Sequence, residues 1–379
     1  MNKYMPSVRK RRRTLLIVEG DHEKNILFKA LFHAFPEMGI NYEDVWIYGT
    51  NIYILYNDIV KEYGADWANT GDDIDLPLVI SKKKTPDQLS YKEDFTDIFL
   101  VFDYERHDPG FSEDKIAELQ NYFQDSTDMG KLFINYPMVE SYQHLQSLPD
   151  PFYENRFECV IAGSGNDYKK KVYEVSVIRE LFWFPHKIDG ILEDRFIVSD
   201  ADKRKECVNS LLQIHDKYNL FEEVLSIVKN VVRCRDEKTF TYQFIHEVNG
   251  LGYLNDGHTY WEHMRWIFKS IIYHNVCKAN KIQYGKYVLS EGYKEVYFSL
   301  RLLDILKEQN KVSRADSLGI IWVLNTCVFL VADYKCELPL FLRLKIPVLC
   351  NFYKTGIFSY PSASSPVSEL STTYLRISS

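Results

Sequence analysis

The stretch "LLIVEGDHEKNILFKALF", Leu15 to Phe32, opens with a short apolar run that ends on Glu19-Gly20. A second acid follows at Glu23, and from about His22 to Phe35 the residues Ile26, Leu27, Ala30, Leu31 and Ala34 fall at helical spacing. A continuous apolar run such as "TLLIV" (Thr14 to Val18) suits a strand covered on both faces. The pattern is strand, turn, helix, with carboxylates at the turn. Alone, such acids read as solvated or as partners of a helix N-terminus.

Working outward, the same alternation recurs. "DVWIYGT" (Asp44 to Thr50) predicts a strand, and "NIYILYNDIVKEYG" predicts a helix closed by Gly64. "TDIFLVFD" (Thr96 to Asp103) is the strongest strand signal. In "SEDKIAELQNYF", Ser112 stands three residues before Lys115 and predicts a helix cap. "KLFINYP" (Lys131 to Pro137) predicts a strand stopped by its proline. The order β-α-β-α-insert-β-α-β implies an α/β fold, a parallel sheet sandwiched by helices.

At 379 residues the chain exceeds the size of one comfortable core, so two domains are expected. The expected division is a basic leader at 1–13, a sheet domain at 14–150 with an insertion at about 65–95, a mainly helical domain at 151–358, and a Ser/Thr-rich tail at 359–379. Within the helical part, "RFECVIAG" and "LKIPVLCNFY" are candidate strands. The most apolar window, Leu318 to Ala332, has 15 residues and contains Asn325. It falls short of the ~20 a membrane helix needs, so a buried core helix and no membrane are expected.

An apolar content of 46% with 26% charged residues excludes a disordered or fibrous chain, and a net charge of −7 argues against an all-over basic surface. The basic runs Arg9 to Arg13, Lys82 to Lys84 and Lys169 to Lys171 read as solvated loops. Seven scattered cysteines show no zinc spacing. With no signal peptide they read as reduced thiols of a cytoplasmic protein. No phosphate-binding G-x-x-x-x-G-K-[ST] occurs, "GSGND" (Gly163 to Asp167) reads as a turn, and Tyr260, Trp261 and Trp266 fall at helical, core-like spacing.

The acids are more informative together. Open parallel sheets bind ligands beyond the carboxyl ends of their strands. There this chain places Glu19 and Glu23 after the first strand, Asp103, Glu105 and Asp108 in "FDYERHD", and Glu140 in "YPMVES" after Asn135. Asp103 and Glu105 flank Tyr104, so an extended chain would point both to one side. Packed carboxylates repel and raise one another's pKa, a cost that Mg²⁺ or Mn²⁺ removes. Gly20 would let the chain turn sharply and leave room beside such an ion. His107 is a candidate proton or hydrogen-bond donor; His22 reads as a helix-start residue.

At these residues the sequence resembles the TOPRIM domains: "LLIVEGDHE" looks like their first motif and "IFLVFDYE" like their Asp-x-Asp motif, with Glu105 in place of the second Asp. It is most similar to the stand-alone and OLD-type nucleases of bacterial phage defence, over roughly Thr14 to Ser141. The resemblance implies a TOPRIM-like sheet and a Mg²⁺- or Mn²⁺-dependent endonuclease with two ions, cleaving DNA or RNA, tRNA included. Glu19 would be the central ligand, Asp103 and Glu105 would hold one ion and Glu23 the second, with Asp108 and Glu140 as weaker candidates further out. It implies a toxic effector whose partners are nucleic acid, an ABC-type ATPase encoded nearby and, in a homodimer, a second copy. A topoisomerase would need a larger chain and a primase a zinc module. A non-catalytic module of a defence complex and a primase-like phosphoryl-transfer enzyme are the alternatives.

Overall fold

The computed structural model describes residues 13–333 apart from 71–72, 83–90, 160–164, 215–218, 251–257, 287–299 and 316–318. The leader up to residue 12, the expected strand "LKIPVLCNFY" and the tail lie outside the described residues.

Five strands form the main sheet. β1 (Thr14–Val18) is buried along its whole length, as a run of Thr, Leu, Ile and Val at a sheet centre should be. A π-wound turn (Glu23–Phe28) leads into α1 (Lys29–Ala34) and buries Ile26, Leu27, Ala30, Leu31 and Ala34, the face read from the periodicity. β2 (Val45–Ile47) is followed by α2 (Ile52–Tyr63), whose N-cap is Asn51 and whose end is Gly64 at φ +88°. The expected insertion contains α3 (Leu76–Ser81), capped by Asp75.

β3 (Asp97–Asp103) is buried at all of its positions. The Ser112 hydroxyl accepts from the Lys115 amide and starts α4 (Glu113–Tyr122) as anticipated. A short edge strand not foreseen, β4 (Gln124–Asp125), runs antiparallel to β5 (Gly130–Asn135). The hairpin needs a glycine: Gly130 has φ +119°, and a Cβ there would sit 3.1 Å from Leu100.

The sheet order is β2-β1-β3-β5-β4, parallel except for β4. From β1 the chain first adds β2 on one side and then β3 on the other. The crevice between the carboxyl ends of β1 and β3 is therefore the topological switch point, where open α/β sheets bind ligands.

The remainder is mainly helical: α5 (Gly165–Val175), α6 (Arg179–Asp194), α7 (Ala201–Leu211), α8 (Leu220–Ile227), α9 (Glu237–Gly250), α10 (Tyr260–Tyr284) and α11 (Leu302–Ala315). The 25-residue α10 starts at a Thr259/Glu262 capping box and stops at Gly285, φ +71°. It packs on α1, and α11 packs on α4 and α10. Buried apolar side chains from Leu15 to Val331 form one contiguous cluster. Two small strands, β6 (Phe157–Cys159) and β7 (Ile320–Trp322), pair antiparallel.

That last pairing corrects the reading of Leu318 to Ala332. Its described part is buried, as expected, but it is not a core helix. β7 comes first, then an isolated bridge between Leu324 and Tyr136, a 3₁₀ turn (Cys327–Phe329) and a four-residue helix (Leu330–Asp333). Gln309 explains the start, because its side chain binds both the Ile320 carbonyl and the Trp322 amide and holds this stretch extended. Among the described residues, no helix is long and apolar enough to cross a membrane.

Candidate acidic site at the switch point

Val18 and Val101 are register partners, so the residues that follow each strand emerge side by side. Glu19 Oε2 accepts the Asp103 backbone N–H at 3.3 Å, which fastens the tip of β1 to the tip of β3. Glu23, one turn further on, is 4% exposed and Asp103 5%. Gly20 does not need to be glycine: its backbone is outside the left-handed region, and an added Cβ would meet Glu23 Oε2 at 3.4 Å, ordinary contact.

Glu140 comes from the 3₁₀ turn Val139–Gln143 after β5 and is 1% exposed, so a residue rated peripheral from the sequence lies deep in the site. Its Oε1 takes Lys169 Nζ at 3.2 Å, while its Oε2 and Asp103 Oδ1 have no hydrogen-bond partner. Asn135, register partner of Asp103, receives the Cys327 amide on Oδ1.

Glu105 does not continue an extended strand. Its φ of +37° turns the chain directly after the buried Tyr104, so the expected strand alternation with Asp103 is absent. It still acts electrostatically on Glu19 and Asp103. Asp108 serves the loop, accepting from Asn51 Nδ2 at 2.8 Å and from the Gly110 amide at 2.6 Å. His107 packs against the start of α5, where a Cβ on Gly165 would lie 3.4 Å from its ring. His22 shares a 3.3 Å contact between Nε2 and the Tyr142 hydroxyl, and burial lowers its pKa despite nearby Glu140.

These carboxyls are hard to ionise together. Burial, then Glu105 and Glu23, push the Glu19 pKa up to about 9. Burial foremost, with Glu140 adding to it, raises Glu23 to about 7. Asp103 is driven well above the usual carboxylate range by burial and then by Glu19, Glu23, Glu140 and Glu105. Glu105 rises too, chiefly from burial, against the opposing pull of His107 and the Asn51 side chain. Lys169 works the other way on Glu19, Glu23 and Glu105, and its own ammonium form is favoured against burial by Glu140 first, then Asp103 and Glu23.

The donor set is all hard oxygen, which suits Mg²⁺ or Mn²⁺ rather than a softer ion. Among the described residues, no three His, Cys, Asp or Glu side chains converge closely enough to hold an ion as they stand. The unpartnered Asp103 Oδ1 and the mutual repulsion of buried acids are what a cation would relieve, and closing a coordination set calls for side-chain rotation.

No family model, curated protein or solved structure matches this chain. Function has to be read from the side chains themselves, and two of them escaped the sequence reading. Lys169, expected in a solvated loop, lies on α5; Lys171 pairs with Glu158 and Lys169 turns to the acids. The spacing of Tyr168 and Val172, four apart and buried on one face, is the signal in the sequence for that helix. Asn51 was read only as the start of a helix pattern. Of the aromatic group, Tyr260 is core and donates to the Leu181 carbonyl, Trp261 stacks on His33, and Trp266 is 46% exposed.

Proposed function

We propose that this chain is a divalent-metal-dependent nuclease that hydrolyses nucleic-acid phosphodiesters at the β1/β3 switch point. The observation that carries the proposal is the burial of Glu23, Asp103 and Glu140 together, with the half-buried Glu19 beside them, at the carboxyl edge of a parallel sheet, faced by Lys169. Structural proteins rarely bury several acids against one another, because each must either stay protonated or find a cation.

Glu19, Glu23 and Asp103 would hold Mg²⁺ or Mn²⁺, with Glu105 and Glu140 at the margin. When bound, such an ion supplies Lewis-acid polarisation of a phosphate and its attacking water. The chain's own groups do the rest. The Asp103 amide orients Glu19, Glu140 holds Lys169 at the rim, and the Lys169 ammonium meets the charge of a non-bridging phosphate oxygen. Hydrolysis then adds hydroxide to phosphorus and a proton to the departing oxygen.

The test compares wild type with Glu19→Gln on plasmid DNA, single-stranded DNA and tRNA, in Mg²⁺ and in Mn²⁺. Cleavage that needs metal and falls by about 100- to 1000-fold in the variant is expected, given what loss of an electrostatic catalytic group costs. Equal cleavage by folded wild type and variant overturns it. The resemblance described above, and nothing else, supports the further proposal of a toxic effector in anti-phage defence under the control of an ABC-type ATPase. Co-purification with such a partner, and nuclease activity that changes on its addition, test that part.

A further inference from the structure

The acid-bearing loop after β3 is fastened to a different strand–helix unit by one side chain. Asn51 is the N-cap of α2, and its Oδ1 accepts the Ile54 amide at 3.1 Å. The same side chain's Nδ2 donates to Asp108 Oδ2 at 2.8 Å, across 57 residues of sequence, and its dipole favours the charged form of the nearby Glu105 carboxylate. A cap needs only the oxygen. The nitrogen goes instead to Asp108.

Those carboxylates belong to a loop that needs holding. Glu105 sits at φ +37°, a region that residues other than glycine adopt only under constraint. Asp108 closes the turn on both sides: its N–H donates to the Glu105 carbonyl, its carbonyl accepts from Phe111, and its Oδ1 takes the Gly110 amide. The Tyr53 hydroxyl, also on α2, donates to the Tyr104 carbonyl at 2.7 Å. The start of α2 thus grips the loop on either side of Glu105, at Tyr104 through Tyr53 and at Asp108 through Asn51.

We propose that Asn51 is a positioning residue of the metal site, fixing the turn at Glu105 through Asp108, in addition to capping α2. This rests on the nuclease reading for its metal and on hydrogen bonds alone for its geometry. Two substitutions separate the roles. Asn51→Ser keeps a cap but cannot reach the carboxylates, and Asn51→Asp keeps a cap while setting a third acid against them.

Isothermal titration of Mn²⁺ is the first readout. Affinity should fall roughly 10- to 100-fold in Asn51→Ser, as for other partners that orient metal ligands, and further in Asn51→Asp. Thermal unfolding should show both variants folded. Wild-type affinity in both folded variants overturns the proposal, because a cap alone would then account for Asn51. Hydrogen exchange of the Asp108, Gly110 and Phe111 amides without metal is the second readout. Faster exchange in Asn51→Ser supports the positioning role, and unchanged exchange overturns it. Wild type that binds no Mn²⁺ would overturn the nuclease reading instead, and the exchange data would still decide on Asn51.

Discussion

Lys169 reaches from α5 to the carboxylate of Glu140, Nζ to Oε1 3.2 Å, and brings a cation from outside the sheet to acids that arise from its strand ends. Glu140 is the buried partner and Lys169 the half-exposed one. Replacing Lys169 with Ala strands the acid rather than the base. A loss of about 1–3 kcal/mol in unfolding free energy at pH 7 is expected, measured by urea denaturation. Cleavage should fall by about 100-fold or more, with partial recovery in Lys169→Arg, which keeps the charge. A Lys169→Ala protein with undiminished activity would remove this lysine from the site.

The raised acids fix how stability varies with pH. Glu19 and Glu23 have an ordinary value of 4.5 and are lifted to about 9 and about 7. Between those limits the folded protein binds more protons than the unfolded chain, so stability falls as pH rises. Their favourable contribution is complete below 4.5, fades for Glu23 through about 7, and for Glu19 continues to fade until about 9. In EDTA, melting temperature should therefore drop from pH 5 to pH 9. Added Mg²⁺ should raise it, and more so at pH 9, where fewer protons have to be displaced. A melting temperature that rises with pH in EDTA would contradict the burial of these groups.

The same reasoning makes Glu19→Gln a stabilising change in the metal-free state. Glutamine has the shape of the protonated acid and its carbonyl oxygen still accepts the Asp103 amide. At pH 8, below the Glu19 value of about 9, wild type already pays the cost of holding a proton there, and the variant does not. Chemical denaturation in EDTA should show the variant more stable than wild type. Mg²⁺ should then protect wild type and leave the variant nearly unmoved.

How much of this could be read from the sequence differs from residue to residue. β1 and β3 were legible because a parallel strand buried on both faces is a continuous apolar run, and "TLLIV" and "DIFLVFD" are such runs. Glu19, Glu23 and Asp103 followed, since strand ends locate themselves once strands are placed. Lys169 did not, because its partner Glu140 lies 29 residues earlier on another element and nothing local records the meeting. The left-handed turn at Glu105 carries no signal either, as glutamate gives no hint of positive φ. Leu318 to Ala332 misled because apolar content reports burial without period, and partners elsewhere in the chain, the β6 strand, Gln309 and Tyr136, decide that β7 and its continuation are extended.

Strain at Glu105 predicts a trade between stability and function. Glycine takes φ +37° without steric cost, so Glu105→Gly should gain about 1 kcal/mol in unfolding free energy. Glu105 is also the first charge raising Glu19, so its removal should bring the Glu19 titration down from about 9, followed by carboxyl NMR. Cleavage should fall in the same variant. A variant that is both less stable and unaltered in Glu19 titration would mean that Glu105 neither strains the loop nor faces the site.

Asn325 ties the last described segment to the turn that bears Glu140. Its Nδ2 donates to the Val139 carbonyl at 2.9 Å and to the Ser141 hydroxyl at 3.3 Å, while its Oδ1 accepts the Val328 amide and the Cys327 thiol. Its own amide donates to Asn275 Oδ1 on α10 at 2.7 Å, so this buried residue joins α10 to both flanks of Glu140. Asn325→Leu would keep the volume but leave those donors and acceptors without partners, each at about 1–3 kcal/mol. Asn325→Asp would keep the acceptor and lose the donor, placing another buried carboxylate beside Glu140. Both should unfold at lower urea than wild type, with Asn325→Asp improving as pH falls because its acid becomes protonated. At pH 7 Mn²⁺ affinity should drop in whichever variant remains folded, since the Glu140 turn is freed on both sides. Affinity and stability equal to wild type in Asn325→Leu would show that the Val139–Gln143 turn holds its shape without the C-terminal segment.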